Sequence, residues 1–94
     1  MSQFEWDVGK AKNNLRKHGV SFEEAVSVFS DALAIELVDE SHSTVDETRF
    51  LTLGTSIYGR LLVVANCERG GKIRLISART TTAKERASYE AKGH

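Results

Sequence analysis

The sequence predicts an α+β domain: two N-terminal helices, a four-stranded antiparallel sheet and a C-terminal helix. Three observations carry this. Apolar residues recur at helical spacing up to Phe29, then at a two-residue period or in short continuous runs from Leu33 to Ala78. The links between the later runs are too short for parallel crossovers, so consecutive strands must pair as an antiparallel meander. A polar segment with helical spacing closes the chain. The 94 residues make one domain, 1–94, with a thin core that removes roughly 60–70% of the open chain's surface from water.

Taken in order, Asp7 is a good N-cap, and Val8, Ala11 and Leu15 follow helical spacing until Gly19 ends the helix. Ser21 and Glu24 have capping-box spacing, and Phe22, Ala25, Val26 and Phe29 form one apolar stripe behind them. These are two short helices joined by a tight turn. The period then changes. Leu33, Ile35 and Leu37 alternate with Ala34, Glu36 and Val38 as a half-buried strand, and residues 39–47 form a polar loop. Residues 49–55 alternate again, 56–59 turn the chain, and 60–67 read as an interior strand. In the fourth strand, 72–79, simple alternation puts Ile73, Leu75, Ser77 and Arg79 on one face and Arg74, Ile76 and Ala78 on the other. Thr82 and Glu85 form a second capping box opening a polar helix with Ala83, Ala87 and Tyr89 to bury. That helix is expected at an edge of the sheet, or completed by another molecule.

The formal net charge is zero, yet residues 1–59 carry five Lys and Arg against ten Asp and Glu, and residues 60–94 carry eight against three. Such asymmetry points to an anionic ligand on the basic side, an ordinary solvated surface being the plainer alternative. The single Cys67 excludes an internal disulfide framework and a four-cysteine metal site. No run of 18 apolar residues occurs, and the first residues lack the apolar core of a signal peptide. The expectation is a cytoplasmic protein with no membrane partner. His42 has no second ligand at metal spacing, and neither a glycine-rich nucleotide loop nor a Ser-His-Asp pattern is present, so no metal or cofactor is expected.

Several residues are candidates for chemistry. Arg16, Lys17 and His18 suit the negative end of a helix dipole, and Lys17 and His18 equally suit half of a phosphate site at the sheet edge. Arg79 closes its strand without a packing need, and its planar fork matches two phosphate oxygens. Glu85 and Tyr89, at i and i+4, share a helix face with Arg86 beside them, though capping and docking also account for them. Trp6 either packs the first helix or stacks on a base.

The segments FEWD (4–7), KHGVSFEEA (17–25) with Phe29 and Asp31, GRLLVV (59–64), IRLISAR (73–79) and KERASYE (84–90), in this order and spacing, resemble the BrnT family. Those are small bacterial toxins of type II toxin–antitoxin pairs. The resemblance implies a fold like that of the RelE ribonucleases and RNA cleavage that arrests translation. It also implies an antitoxin partner of the BrnA type with a ribbon–helix–helix domain, through which alone operator DNA is contacted. On that pattern Lys17, His18, Arg79, Glu85, Arg86 and Tyr89 belong to the site.

The implied chemistry is a metal-independent attack of the RNA 2′-hydroxyl on its own phosphate. Arg79 would stabilise the charge that builds up, supported by Lys17 and by Arg74 or Arg86. His18 is the first acid–base candidate, with Glu85 or Tyr89 as the alternative. Arg74, Lys84, Arg86 and Trp6 would bind RNA. The rival expectation is a non-catalytic, antitoxin-binding scaffold in a DNA-bound repressor. The division of labour assigned to these residues requires His18 and Arg79 to share one cleft.

Overall fold

The computed structural model describes residues 3–92. The outermost two residues at each end of the expected domain 1–94 lie outside the described residues. The elements run β1 (Phe4–Glu5), α1 (Val8–His18), α2 (Phe22–Ser27), β2 (Ile35–Val38), β3 (Arg49–Thr55), β4 (Leu61–Arg69), β5 (Lys72–Thr80) and α3 (Ala83–Lys92). Single 3₁₀ turns occupy Val28–Ser30 and Glu40–His42. Among the described residues no helix is long and apolar enough to cross a membrane.

Strands β2 to β5 form the expected antiparallel meander, but the sheet has five strands in the order β1-β5-β4-β3-β2. The extra strand pairs parallel with β5, Phe4 opposite Ile73 and Glu5 opposite Arg74. Two residues are too few to show a period, which is why FEWD reads only as a helix approach. Packing fixes the strand instead: the Phe4 ring lies 5.1 Å from that of Phe29. The sheet is therefore mixed, not four-stranded and antiparallel.

Helices α1 and α2 cover one face. Their core joins Val20, Phe22, Ala25 and Val28 to Leu62, Val64, Leu75 and Ala78. On the opposite face a smaller cluster of Leu53, Leu61 and Val63 is covered by Tyr89 of α3. Strand β2 is a mostly exposed edge, with Leu33 in the turn before it and Leu37 and Val38 open to water. The half-buried strand expected there is thus shorter and more exposed.

Helix α1 is capped by Asp7, whose Oδ1 accepts from Lys10 N at 2.9 Å, and it ends at Gly19 with φ 68°. That left-handed conformation is one glycine adopts without steric cost. Its buried side is not the expected apolar stripe: Val8 and Leu15 are 64% and 52% exposed, whereas Asn14 is 6% exposed. The cause lies at the sheet edge. Because β1 pairs only with Ile73 and Arg74, the backbone of Ala78, which faces Val64 of β4 on one side, has no neighbouring strand on its outer edge. Asn14 supplies one. Its Nδ2 donates to the carbonyls of Ala78 (2.8 Å) and Val20 (2.9 Å), and its Oδ1 accepts from Ala78 N at 3.0 Å. A side-chain amide reproduces the donor and acceptor of a paired strand, so the buried backbone groups are satisfied.

The β4–β5 ladder carries a bulge. Ala65 faces Ser77 while Asn66 faces Leu75, so Ile76 is an extra residue. The alternation expected for β5 is broken there. Ile73, Leu75 and Ala78 pack toward the helices, whereas Arg74 (opposite Cys67), Ser77 and Arg79 (opposite Val63) lie on the other face.

Only half of the first capping box forms. Ser21 Oγ accepts from Glu24 N at 3.0 Å. The Glu24 carboxylate turns instead to Arg60, which donates from Nε at 2.9 Å and from Nη2, and to Ser56 Oγ at 2.7 Å. Arg60 Nη2 also donates to the Gly19 carbonyl at 3.0 Å, binding both helix ends to the β3–β4 turn. At Gly54, a Cβ would lie 2.9 Å from Val28 Cγ1 and 3.2 Å from Asp31 Oδ2. Its absence lets Asp31 approach and accept from Thr55 N at 2.8 Å.

Two outcomes follow from these contacts. Asn14→Leu keeps the branched outline of the side chain but strands the Ala78 and Val20 backbone groups, and should lower stability in urea by about 2–4 kcal/mol. Glu24 is held below its ordinary value of 4.5, chiefly by the Arg60 hydrogen bonds. Its contribution is therefore complete above pH 4.5 and is lost as pH falls through the depressed folded value. The urea midpoint of Glu24→Gln should be lower at pH 7 and should fall less than the wild type's on acidification.

Candidate nucleic-acid cleft

On the face away from α1 and α2, the register aligns Leu51, Ala65 and Ser77 in one cross-strand row. Two of these side chains are small, so the row sinks into a floor. It is flanked by the rows Leu53–Val63–Arg79, beneath α3, and Arg49–Cys67–Arg74, of which Arg79 and Arg49 reach the cleft. The loop after β2 adds Asp39 and His42. The resulting cleft encloses about 430 Å³, with Arg79, Arg49, His42 and Ile76 at its rim.

Every cation of this cleft has a carboxylate behind it. Arg79 meets Glu85 as a fork, Nη1 to Oε1 at 2.8 Å and Nη2 to Oε2 at 2.9 Å, and Nη1 also donates to Thr80 O at 3.1 Å. Glu85 Oε1 accepts from Thr82 N at 2.8 Å, and Thr82 Oγ1 accepts from Glu85 N at 3.2 Å, the expected capping box. The Arg79 hydrogen bonds, and then the capping contact, hold the Glu85 carboxyl down to about 2. Among the described residues the Arg79 Nε–H has no protein acceptor. Arg49 Nε lies 3.4 Å from Glu47 Oε1. His42 Nδ1 lies 2.9 Å from Asp39 Oδ2, with the ring 68% exposed.

A second groove, of about 210 Å³, runs between α1 and the β5 edge. Lys10, Asn13, Asn14, Lys17 and His18 line it, at positions i, i+3, i+4, i+7 and i+8. No acidic side chain lines it. Ile76 and Ser77, at the bulge, border both grooves. Lys17 and His18 therefore do not enter the Arg79 cleft; they line its neighbour across a shared wall.

The remaining candidates fall elsewhere. Tyr89 donates to Asp31 Oδ2 and accepts from Thr55 Oγ1 at 3.2 Å. The Asp31 contact raises its phenol above the ordinary value. Burial pushes Asp31 up, but donation from Thr55 N, Tyr89 and Leu33 N outweighs it and leaves the carboxyl lowered. Trp6 is a packing residue, edge-on to Phe22 at 5.9 Å, and borders an apolar groove with Val8 and Leu15, remote from either basic groove. Arg74 is paired with Glu5 at 3.1 Å and lines neither groove. Lys84 and Arg86 stand exposed on α3, with no ion pair among the described residues. Sequence reasoning missed Lys10, Asn13, Asn14, Asp39, Arg49 and Ser77. The polar i, i+3, i+4, i+7, i+8 stripe was readable; the cross-strand row needed the bulge.

Comparison with known proteins matches residues 6–85 to the family described as "Ribonuclease toxin, BrnT, of type II toxin-antitoxin system". No curated protein sequence matches the chain. Among solved structures the fold is similar to the 1.1 Å crystal structure of the Brucella abortus ribonuclease toxin BrnT, at 21% identity and a TM-score of 0.65. The similarity covers 87% of this chain and 99% of that one. With the family pattern spanning most of the sequence and the helix–sheet–helix frame in place, the chain belongs to the BrnT family of type II ribonuclease toxins, a family that implies an antitoxin partner.

Proposed function

We propose that this chain is an endoribonuclease that works without a metal, cutting RNA through its own 2′-hydroxyl, and that loss of message is how it inhibits translation. Once the 2′-oxygen attacks the adjacent phosphorus, negative charge builds on the phosphoryl oxygens. Preplaced donors that meet that charge lower the barrier more than they tighten substrate binding. Arg79 takes this role, with its fork oriented by Glu85 and its Nε–H left for a phosphoryl oxygen.

The observation that carries this reading is the junction at Ile76 and Ser77, which joins the acid-free cationic groove of α1 to the Arg79 cleft. A single strand laid along α1 and over the β5 edge sets flanking phosphates against Lys10, Lys17 and His18 while one phosphate reaches Arg79. Glu85 is committed to Arg79 and to the Thr82 cap, and Tyr89 to Asp31, so both act here by positioning. Lys84 and Arg86 extend the RNA contact along α3. The antitoxin is of the BrnA type, with a ribbon–helix–helix domain that alone contacts operator DNA.

The antitoxin-free chain should cleave RNA in EDTA, and Arg79→Ala should lower kcat by about 10²–10³-fold. Lys10→Ala and Lys17→Ala should chiefly raise KM and flatten its salt dependence. Abolition of cleavage by chelation would remove the metal-free mechanism.

One observation favours a second reading, a non-catalytic antitoxin-binding scaffold: the Arg79 fork is already closed by Glu85. Expression of the chain alone separates the two. Growth arrest that Arg79→Ala relieves supports the nuclease, and undisturbed growth supports the scaffold.

A further inference from the structure

The cleavage just described lacks a group that removes the 2′-hydroxyl proton from inside the Arg79 cleft. His18 borders the adjacent groove, and Glu85 and Tyr89 are occupied. One imidazole does line the cleft. We propose that His42, oriented by Asp39, is the proton-transfer group of this site, acting on RNA held between Arg49 and Arg79; the proposal rests on the ribonuclease reading above.

The geometry is that of a base with its orienting carboxylate. His42 Nδ1 donates to Asp39 Oδ2 at 2.9 Å, and Ser41 Oγ donates to Asp39 Oδ1 at 2.9 Å. A carboxylate on Nδ1 fixes the tautomer in which Nε2 carries the lone pair, and imidazole exchanges protons near neutral pH. The Ser41 contact, ahead of the His42 contact, keeps Asp39 below the ordinary carboxylate range and hence ionised.

The segment is pinned, although the ring is exposed. Asp39 N donates to the Arg49 carbonyl at 2.8 Å, Ser43 Oγ donates to Asp39 O at 2.8 Å, and Arg49 N donates to Ser43 Oγ at 2.8 Å. These bonds hold the 3₁₀ turn of Glu40–His42 on the end of β3, so the pair rides on the sheet. The charged groups facing His42 are Asp39 on its own turn, Arg49 backed by Glu47, and Arg79 backed by Glu85.

In the step assigned, His42 Nε2 takes the 2′-hydroxyl proton while the 2′-oxygen bonds to phosphorus. The bond from phosphorus to the 5′-oxygen breaks, and that oxygen leaves with a proton from solvent. The imidazolium then returns its proton to solvent. The products are a 2′,3′-cyclic phosphate and a 5′-hydroxyl, with no net change in protons and no redox partner.

The test is RNA cleavage by the purified full chain with its His42→Ala and Asp39→Asn variants, each first checked for an unchanged melting curve. His42→Ala should lower kcat by about 10²-fold or more, and added imidazole should restore part of it. Asp39→Asn should lower kcat less while leaving KM unchanged, since the ring loses the acceptor that orients it but no contact to RNA. If the wild type cleaves and His42→Ala stays within threefold of it, the dyad is overturned while the nuclease reading survives. If the wild type cleaves no RNA, both fall. If either variant fails to fold, His42→Asn or Asp39→Ser is measured in its place, and a kcat within threefold of the wild type for His42→Asn overturns the dyad.

Discussion

The architecture depends on one side chain. Asn14 stands where a strand would otherwise be needed, and its amide closes the backbone of Ala78 while holding the carbonyl of Val20. A helix that met the sheet edge through Val8 and Leu15 would bury more apolar surface but leave those backbone groups without partners. An unpaired buried amide or carbonyl costs about 1–3 kcal/mol, comparable to what burial of one aliphatic side chain gains. The hydrogen bonds win and rotate α1. That rotation turns Lys10, Asn13, Lys17 and His18 toward β5 and creates the cationic groove. It also leaves Val8 and Leu15 outside.

The charge arrangement of the cleft has a shared logic. Arg79 and Arg49 at its rim, and Arg74 just outside it, are each held by a carboxylate, from Glu85, Glu47 and Glu5 in turn. Such pairs at the surface add little to stability, but they fix long side chains that would otherwise have to be ordered when a ligand arrives. The α1 groove is the opposite: its cations have no acidic neighbour lining the groove and suit loose, sequence-independent attraction of a polyanion. A chain whose formal charges cancel thus keeps one attractive surface and one set of oriented donors, separated by two residues of β5.

Much of the frame was legible from the residues. The four meander strands, the Asp7 and Thr82 caps and the Gly19 stop follow from local chemistry and period, and the structure keeps them. What stayed hidden depends on contacts distant in sequence. The two-residue β1 has no period to read, and only Phe29 and the β5 edge define it. The bulge at Ile76 reverses the faces of β5 beyond it, so alternation alone places Arg74 correctly but puts Ser77 and Arg79 on the face of Leu75 instead of the opposite one. Glu24 has the right spacing for a capping box, yet Arg60, 36 positions later, takes its carboxylate. Among the site candidates, the link between Arg79 and Glu85 spans six residues and lay within reach. The nearness of His42 to Arg79 is a property of the folded sheet, and no spacing in the chain announces it.

The bare backbone at Gly54 has an effect that reaches across the sheet. By letting the turn after α2 press against β3, it brings Asp31 to the end of that strand, where it becomes the mooring for Tyr89. The mooring ties the last helix to the sheet, and the first turn of that helix carries the glutamate that aims the Arg79 guanidinium. A methyl group at this one position would lift the turn and loosen the whole relay, so a residue with no side chain and no charge helps decide where a distant cation points.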